Sequence, residues 1–241
     1  MRIAVIGGTG LIGSKLINKL REMSHDAVAL PAAGLNPASG EELRRALVDT
    51  RVVVDVANTP SVEAGDATPC LKTPTAELIA AGTGAGIAHY VALCVAGLEQ
   101  PPENLHRAAH EVQKDLINGS HIPYTILQST QLFELVGSIA ARLSDGRVIH
   151  AAPAHIRPIG SDDVVTTLAE IAVGKPMNGI VEIARPQQFH LDDLLRHLLQ
   201  ATADLRVVVS DRASHSGGAS LAERSSIPAE VIGMTRFADW V

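Results

Sequence analysis

The stretch "AVIGGTGLIGS", residues 4–14, sets Gly7, Gly10 and Gly13 between an apolar strand and an amphipathic helix. Few local patterns restrict a fold as strongly. Gly7 permits the tight turn that leaves the strand, Gly10 lets the backbone approach a diphosphate, and Gly13 lets the helix pack close to the strand. The helix that begins here turns its unpaired N–H groups and its positive dipole end toward the phosphates. Gly8, Thr9, Leu11 and Ile12 complete the expected phosphate-binding turn. A dinucleotide, NAD or NADP, is the cofactor this junction implies.

The rest of the first half repeats the same unit. "RIAVIG", "DAVAL", "RVVVDVA", "HYVALCVAG" and "PYTILQS" read as strands, with helices over 11–23, 40–48 and 75–85 and another before "PYTILQS". Apolar runs alternating with amphipathic segments predict an α/β protein, a Rossmann doubly wound parallel sheet with helices on both faces. After about residue 130 the rhythm loosens. "GRVIHAAPAHIRPIG" reads as two short strands around a Pro-rich turn. "SDDVVTTLAEIAVG" is a helix capped at its start by Ser-Asp-Asp, with Asp162 and Asp163 as capping residues. "GIVEIA" is a strand, "HLDDLLRHLLQAT" a helix and "DLRVVVS" a strand, before a Ser- and Gly-rich tail ending at "FADW". No linker divides the chain, so residues 1–241 are expected to form one NAD(P)-binding unit. Residues from about 130 onward would build a small substrate cap over the carboxyl ends of the sheet.

Composition narrows the partners. A net charge of -6 and no run of Lys or Arg argue against nucleic acid or an anionic membrane. No apolar run approaches the roughly 20 residues that span a bilayer, and no secretory signal is visible at the start, so a soluble cytoplasmic protein is expected. Cys70 and Cys94 do not make a disulfide framework. The expected partner is a small-molecule substrate, with a homodimer as a further possibility. The end of the second strand, where an acid would take ribose hydroxyls and an arginine a ribose phosphate, reads "AVALPAAG". Leu30 to Ala33 supply neither, and Asp26 lies at the strand's other end, so the choice between NAD and NADP stays open.

With GGTGLIG, "VVVDVAN", "YVALCVAG", "IPYTILQSTQLFE", "RPIGSDDVV" and "GIVEIA" together, nearly the whole chain resembles an atypical short-chain dehydrogenase/reductase of the NmrA-like, NAD(P)-binding group. The resemblance implies a Rossmann core, a cap holding the substrate, and hydride transfer to or from a carbonyl or other unsaturated compound. Reductases of this kind set a Ser at the end of a strand and a Tyr-x-x-x-Lys on the next helix. Aligned on "IPYTI", those positions fall on Cys94, His106 and His110. All three are replaced.

Three readings of the trio stand side by side. His106 can act as general acid or base, because imidazole titrates near neutral pH, with His110 reaching the ribose or relaying a proton and Cys94 a weak hydrogen-bonding partner. The trio can instead be catalytically silent, in a ligand-binding regulator or a pocket-shaped cyclase or isomerase. Or the thiol and the two histidines, four residues apart on one helix face, can bind a metal such as zinc; no fourth ligand is evident, and the site is expected to hold no metal. Asn58, after the third strand, is placed on the cofactor. Gln131 and Phe133, after the strand nearest the nicotinamide in this fold, are placed on the substrate, Phe133 as an apolar wall. His150 and His155 read as solvated loop residues, while His25, His121, His190, His197 and His215 carry no pattern.

Overall fold

The computed structural model describes residues 1–30, 40–57, 75–95, 116, 120–211, 231–235 and 237–240. Five strands of the first half, β1 (Arg2–Ile6), β2 (Asp26–Leu30), β3 (Val52–Asp55), β4 (His89–Val95) and β5 (Tyr124–Ser129), lie in one sheet with β8 (Gly179–Ala184) and β11 (Val231–Ile232). The order is β11-β8-β5-β4-β3-β1-β2, and every pairing is parallel. Strands β3, β4 and β5 are buried along their whole length. That is what a parallel sheet covered on both faces demands of its sequence.

Helices α1 (Leu11–Glu22) and α5 (Ser161–Val173) cover one face. Ile12, Leu16 and Leu20 of α1 fall one turn apart and meet Val164, Leu168 and Ala172 of α5 over Ile3, Val5, Val54 and Val91. The other face packs under α2 (Gly40–Ala46) and α3 (Thr75–Ala85). There Leu43, Leu78 and Ile79 lie against Ala4, Val53, Tyr90 and Ile126. The doubly wound Rossmann architecture expected from the strand rhythm is the one observed.

Beyond β5 a 3-10 turn (Phe133–Leu135) leads into α4 (Val136–Arg142). Two short strand pairs follow. β6 (Val148–Ala151) lies parallel to β10 (Val207–Ser210), and β7 (His155–Ile156) antiparallel to β9 (Phe189–His190). Helices α6 (Leu191–Ala201) and α7 (Phe237–Trp240) close a third apolar cluster around Val136, Ile149, Leu194 and Leu195.

Two expectations need correction. The start of α5 is not capped by its own Ser-Asp-Asp: the N-cap is Gly160, with no side-chain cap bond. Glu134 does the work from the 3-10 turn, its carboxylate accepting the Ser161 N–H at 3.1 Å and the Ser161 hydroxyl. Asp162 instead pairs with Lys15 of α1 at 2.8 Å, and Asp163 accepts the Thr235 N–H at 2.9 Å, tying the C-terminal segment to α5. The second correction is β11, which extends the main sheet from within the Ser- and Gly-rich tail, where no strand was expected.

The amino end of β4 holds a buried imidazole. His89 is 2 % exposed, with Nε2 3.0 Å from the Thr125 hydroxyl. That hydroxyl also accepts the Met177 N–H. Burial pushes the His89 pKa down to about 4. The unfolded chain therefore takes up a proton near pH 6.5 that the folded protein refuses until about pH 4, and stability falls as pH drops through that window. Lowering the pH from 7 to 5 should cost roughly 1–2 kcal/mol through this residue. Urea unfolding at the two pH values should show a smaller loss for His89→Gln than for the parent; equal losses would remove His89 as the cause.

Candidate functional site

Strand order reverses its sense between β1 and β3, and the crevice outside their carboxyl ends is where doubly wound sheets take ligands. The glycine turn occupies that position. Gly7 has φ +77°, a left-handed conformation that only glycine adopts cheaply, and its N–H donates to Leu30 O at 2.9 Å. A Cβ on Gly7 would stand 2.9 Å from the Ala57 backbone, where the chain leaves β3. At Gly8 a Cβ would meet Ala29 at 2.7 Å, and at Gly13 it would stand 2.2 Å from the Gly7 carbonyl. These three glycines are required by the protein's own packing.

Gly10 is different. A Cβ there would meet only the Gly7 carbonyl, at 3.3 Å, a tight contact but a looser one than those at Gly7, Gly8 and Gly13, so packing demands glycine less strictly here. Gly10 is the N-cap of α1 in extended conformation, with no side-chain cap and no acid in the first turn. Thr9, Gly10 and Leu11 are exposed at the mouth, whereas the Ile12 side chain is buried in the core. The result is an open, uncapped helix end with a bare backbone in front of it. A diphosphate needs just such a cradle.

The β3 exit, facing that turn, is held by a buried pair. The Tyr90 hydroxyl donates to Asp55 Oδ2 at 2.9 Å, and the Ala57 N–H donates to Asp55 Oδ1 at 3.0 Å. Burial pushes the Asp55 carboxyl up, against the two hydrogen bonds that favour its charged form. The Tyr90 hydroxyl is raised well above its ordinary range by burial and by the neighbouring Asp55 charge. Because Ala57 is also what Gly7 closes against, this pair fixes the spacing of the crevice walls. Sequence reading passed over it: Asp55 and Tyr90 lie 35 positions apart, and only parallel pairing of β3 with β4 joins them. The faint local signal was an acid ending an otherwise apolar strand.

Of the Cys94, His106 and His110 trio, the structure describes Cys94; His106 and His110 lie outside the described residues, as does Asn58. Cys94 stands near the carboxyl end of β4, opposite Gln128 of β5. It is 1 % exposed, within the apolar cluster that holds Tyr90 and Ile126. Among the described residues no group of three or more His, Cys, Asp or Glu side chains is arranged to hold a metal ion. Gln131 is buried just beyond β5, where its carbonyl accepts the Ile159 N–H at 2.8 Å. Phe133 is 0 % exposed, and its ring packs on Phe237 and Trp240. The visible role of that ring is structural. His150 sits in a half-exposed pair with Asp145 at 3.3 Å, and the His155 ring lies against that of His190, tilted by 46° with centroids 4.1 Å apart.

No family model matches this sequence, and no curated protein matches it. Solved structures do. UDP-glucose 4-epimerase from Thermus thermophilus, in complex with NAD, is 16% identical with a TM-score of 0.65, over 88% of this chain and 86% of its own. A dTDP-4-dehydrorhamnose reductase from Bacillus anthracis, in complex with NADP, is 10% identical with a TM-score of 0.64, over 87% and 84%. An NADPH-dependent quinone oxidoreductase from Escherichia coli, complexed with NADPH, is 18% identical with a TM-score of 0.65, over 87% and 78%. The likeness is one of fold. Among the described residues no helix is long and apolar enough to cross a membrane.

Proposed function

We propose that this chain binds NAD or NADP in the glycine-lined crevice and acts as an oxidoreductase on a small hydrophobic carbonyl or quinone-like compound, with His106 as its general acid or base. The observation that carries the reading is Gly10: a bare backbone position, the one in the turn where packing demands glycine least strictly, at an uncapped helix end. The residues present fit a dinucleotide. The turn from Gly7 to Gly13 would hold the diphosphate through its N–H groups, and Asn58 would flank the nucleotide on the β3 side. Three structures of the same fold with 18% identity or less hold NAD, NADP or NADPH, and one of these proteins is a quinone oxidoreductase.

When bound, the nicotinamide ring supplies hydride to the substrate carbon or accepts it. The protein's part is to orient the substrate, exclude water and hold a proton for the substrate oxygen, a task within the range of an imidazole. Of the residues from about 130 onward, those outside α5, β8 and β11 would form the cap, with Gln131 lining the substrate and Phe133 supporting it from behind. Cys94 is hard to place in proton transfer, being shut into an apolar cluster. That burial favours a second reading, in which the fold binds nucleotide or ligand without turnover.

Calorimetric titration with NADH and NADPH tests the cradle. The parent should bind at least one of them, and Gly10→Val, whose side chain would occupy the diphosphate's space, should weaken binding at least about tenfold while unfolding at nearly the same temperature. Equal affinity in the variant, or no binding by the parent, overturns the proposal.

A further inference from the structure

Several of the described arginines are paired with carboxylates. Arg196 pairs with Asp193 at 2.7 Å and with Asp192 at 3.1 Å, and Arg206 with Asp204 at 2.6 Å. Arg185 and Arg157 make no ion pair with any carboxylate among the described residues. Arg185 follows directly on β8, at the carboxyl end of the sheet, and is only 7 % exposed. Its guanidinium lies over the Phe133 ring, 5.8 Å from the centroid, and its Nη1 is buried with no hydrogen-bond partner.

Two further unsatisfied groups belong to the segments around it. Thr130, whose N–H donates to Ile183 O at 3.3 Å, is one residue beyond β5 beside β8, and its hydroxyl oxygen is buried without a partner. Arg157 follows β7, two residues before Ile159, which bridges Leu132 and accepts the N–H of Phe133, the residue whose ring lies under Arg185. The Arg157 Nε is likewise buried without a partner.

A buried guanidinium with neither counter-charge nor full hydrogen bonding is costly. The Phe133 ring repays part of that cost but supplies no acceptor for Nη1. Such an arrangement is relieved by an anion entering from outside. A forked, planar cation suits the two oxygens of a carboxylate or phosphate, and the Thr130 hydroxyl adds a further donor. Its position also suits a substrate: β8 neighbours β5, one strand spacing of about 4.8 Å past the strand end where Gln131 begins.

We propose that Arg185, with Arg157 and the Thr130 hydroxyl nearby, is an oxyanion site that holds a carboxylate or phosphate group of the substrate. That the anion belongs to a substrate rests on the dinucleotide reading above; anion binding at Arg185 does not.

The test follows the unfolding temperature of the full chain with inorganic phosphate and, separately, malonate, at constant ionic strength. The parent should be stabilised saturably by at least one of the two, and the better anion identifies the group. Arg185→Met should raise the half-saturating concentration about thirty-fold or more while unfolding, without anion, no earlier than the parent, since the buried charge is gone. Should Arg185→Met not fold, Arg157→Met and Arg185→Lys are expected to weaken the response to a smaller degree. Gly10→Val should keep the part of the response that Arg185→Met loses. If Gly10→Val loses the response and Arg185→Met keeps it, the anion sits on the α1 turn: the proposal fails and the dinucleotide cradle gains support. No saturable response by the parent to either anion, or undiminished responses in the arginine variants, also overturns it.

Discussion

Phe133→Ala is expected to lower the unfolding free energy by about 3–5 kcal/mol, the usual cost of emptying a buried phenyl site. For a chain of this length that is a fall of about 10 °C or more in unfolding temperature. Aromatic residues are scarce here: three Phe, one Trp and two Tyr in 241 residues. All three Phe and the Trp meet in one place. Around the Phe133 ring, Trp240 stacks at 5.4 Å and 22°, Phe237 lies at 5.4 Å, and Phe189 stands edge-on at 6.4 Å and 77°. Helix α7 is four residues long, too short to be stable alone, so this contact is what holds it. The cavity would have little to collapse into it, because the neighbouring rings are pinned by the cluster around Leu194 and Leu195. Trp240, the sole tryptophan, offers a direct readout: its emission should shift to the red in Phe133→Ala and stay near the parental value in Phe133→Leu. An unchanged midpoint and spectrum would mean that Phe133 does not anchor the C-terminal helix.

The same residue shows where sequence reading stops. Its place after β5 was legible, because an apolar run bounded by turn residues marks a buried parallel strand, and glycines at a strand-to-helix junction mark the turn beside it. What the ring touches was not, because Phe237 and Trp240 are about a hundred positions away. The capping of α5 fails for a related reason. Ser161, Asp162 and Asp163 satisfy the local rule for a helix start, yet a carboxylate 27 positions earlier takes the N–H, and the two aspartates are used for contacts to α1 and to the C-terminal segment. Strand β11 has two residues and no periodicity to detect; it exists because the edge of β8 offers it partners. Asp55, Tyr90 and Arg185 were legible only as types. Burial makes them informative, and burial is a property of the assembled sheet. Cys94 illustrates the reverse case. Its position at the carboxyl end of β4 followed from the strand pattern, whereas its enclosure among apolar side chains depended on which face the strand turns toward α3.

Replacing His106 by Phe should reduce turnover by at least about tenfold, within the 10²- to 10⁴-fold range that general acid catalysis usually contributes. The measurement is oxidation of NADH and NADPH across a panel of quinones and ketones, parent against variant, with nucleotide affinity determined alongside. Affinity should hold, because in the proposed cradle the diphosphate would be gripped by backbone N–H groups between Gly7 and Gly13 that owe nothing to His106. A loss in rate without a loss in affinity is the signature of a group acting in the transition state and not in binding. The imidazole would need to carry the proton by itself: Cys94 is enclosed in the apolar cluster, and the Tyr90 hydroxyl is already committed to Asp55 and too weak an acid in that setting to donate to substrate. His110→Phe should therefore cost less than His106→Phe, since a relay can be replaced by water more readily than the donor it feeds. Should the parent bind nucleotide yet oxidise it with no acceptor, the redox-silent reading is the correct one. An active parent whose rate survives the His106 substitution would instead move the proton donor elsewhere in the pocket.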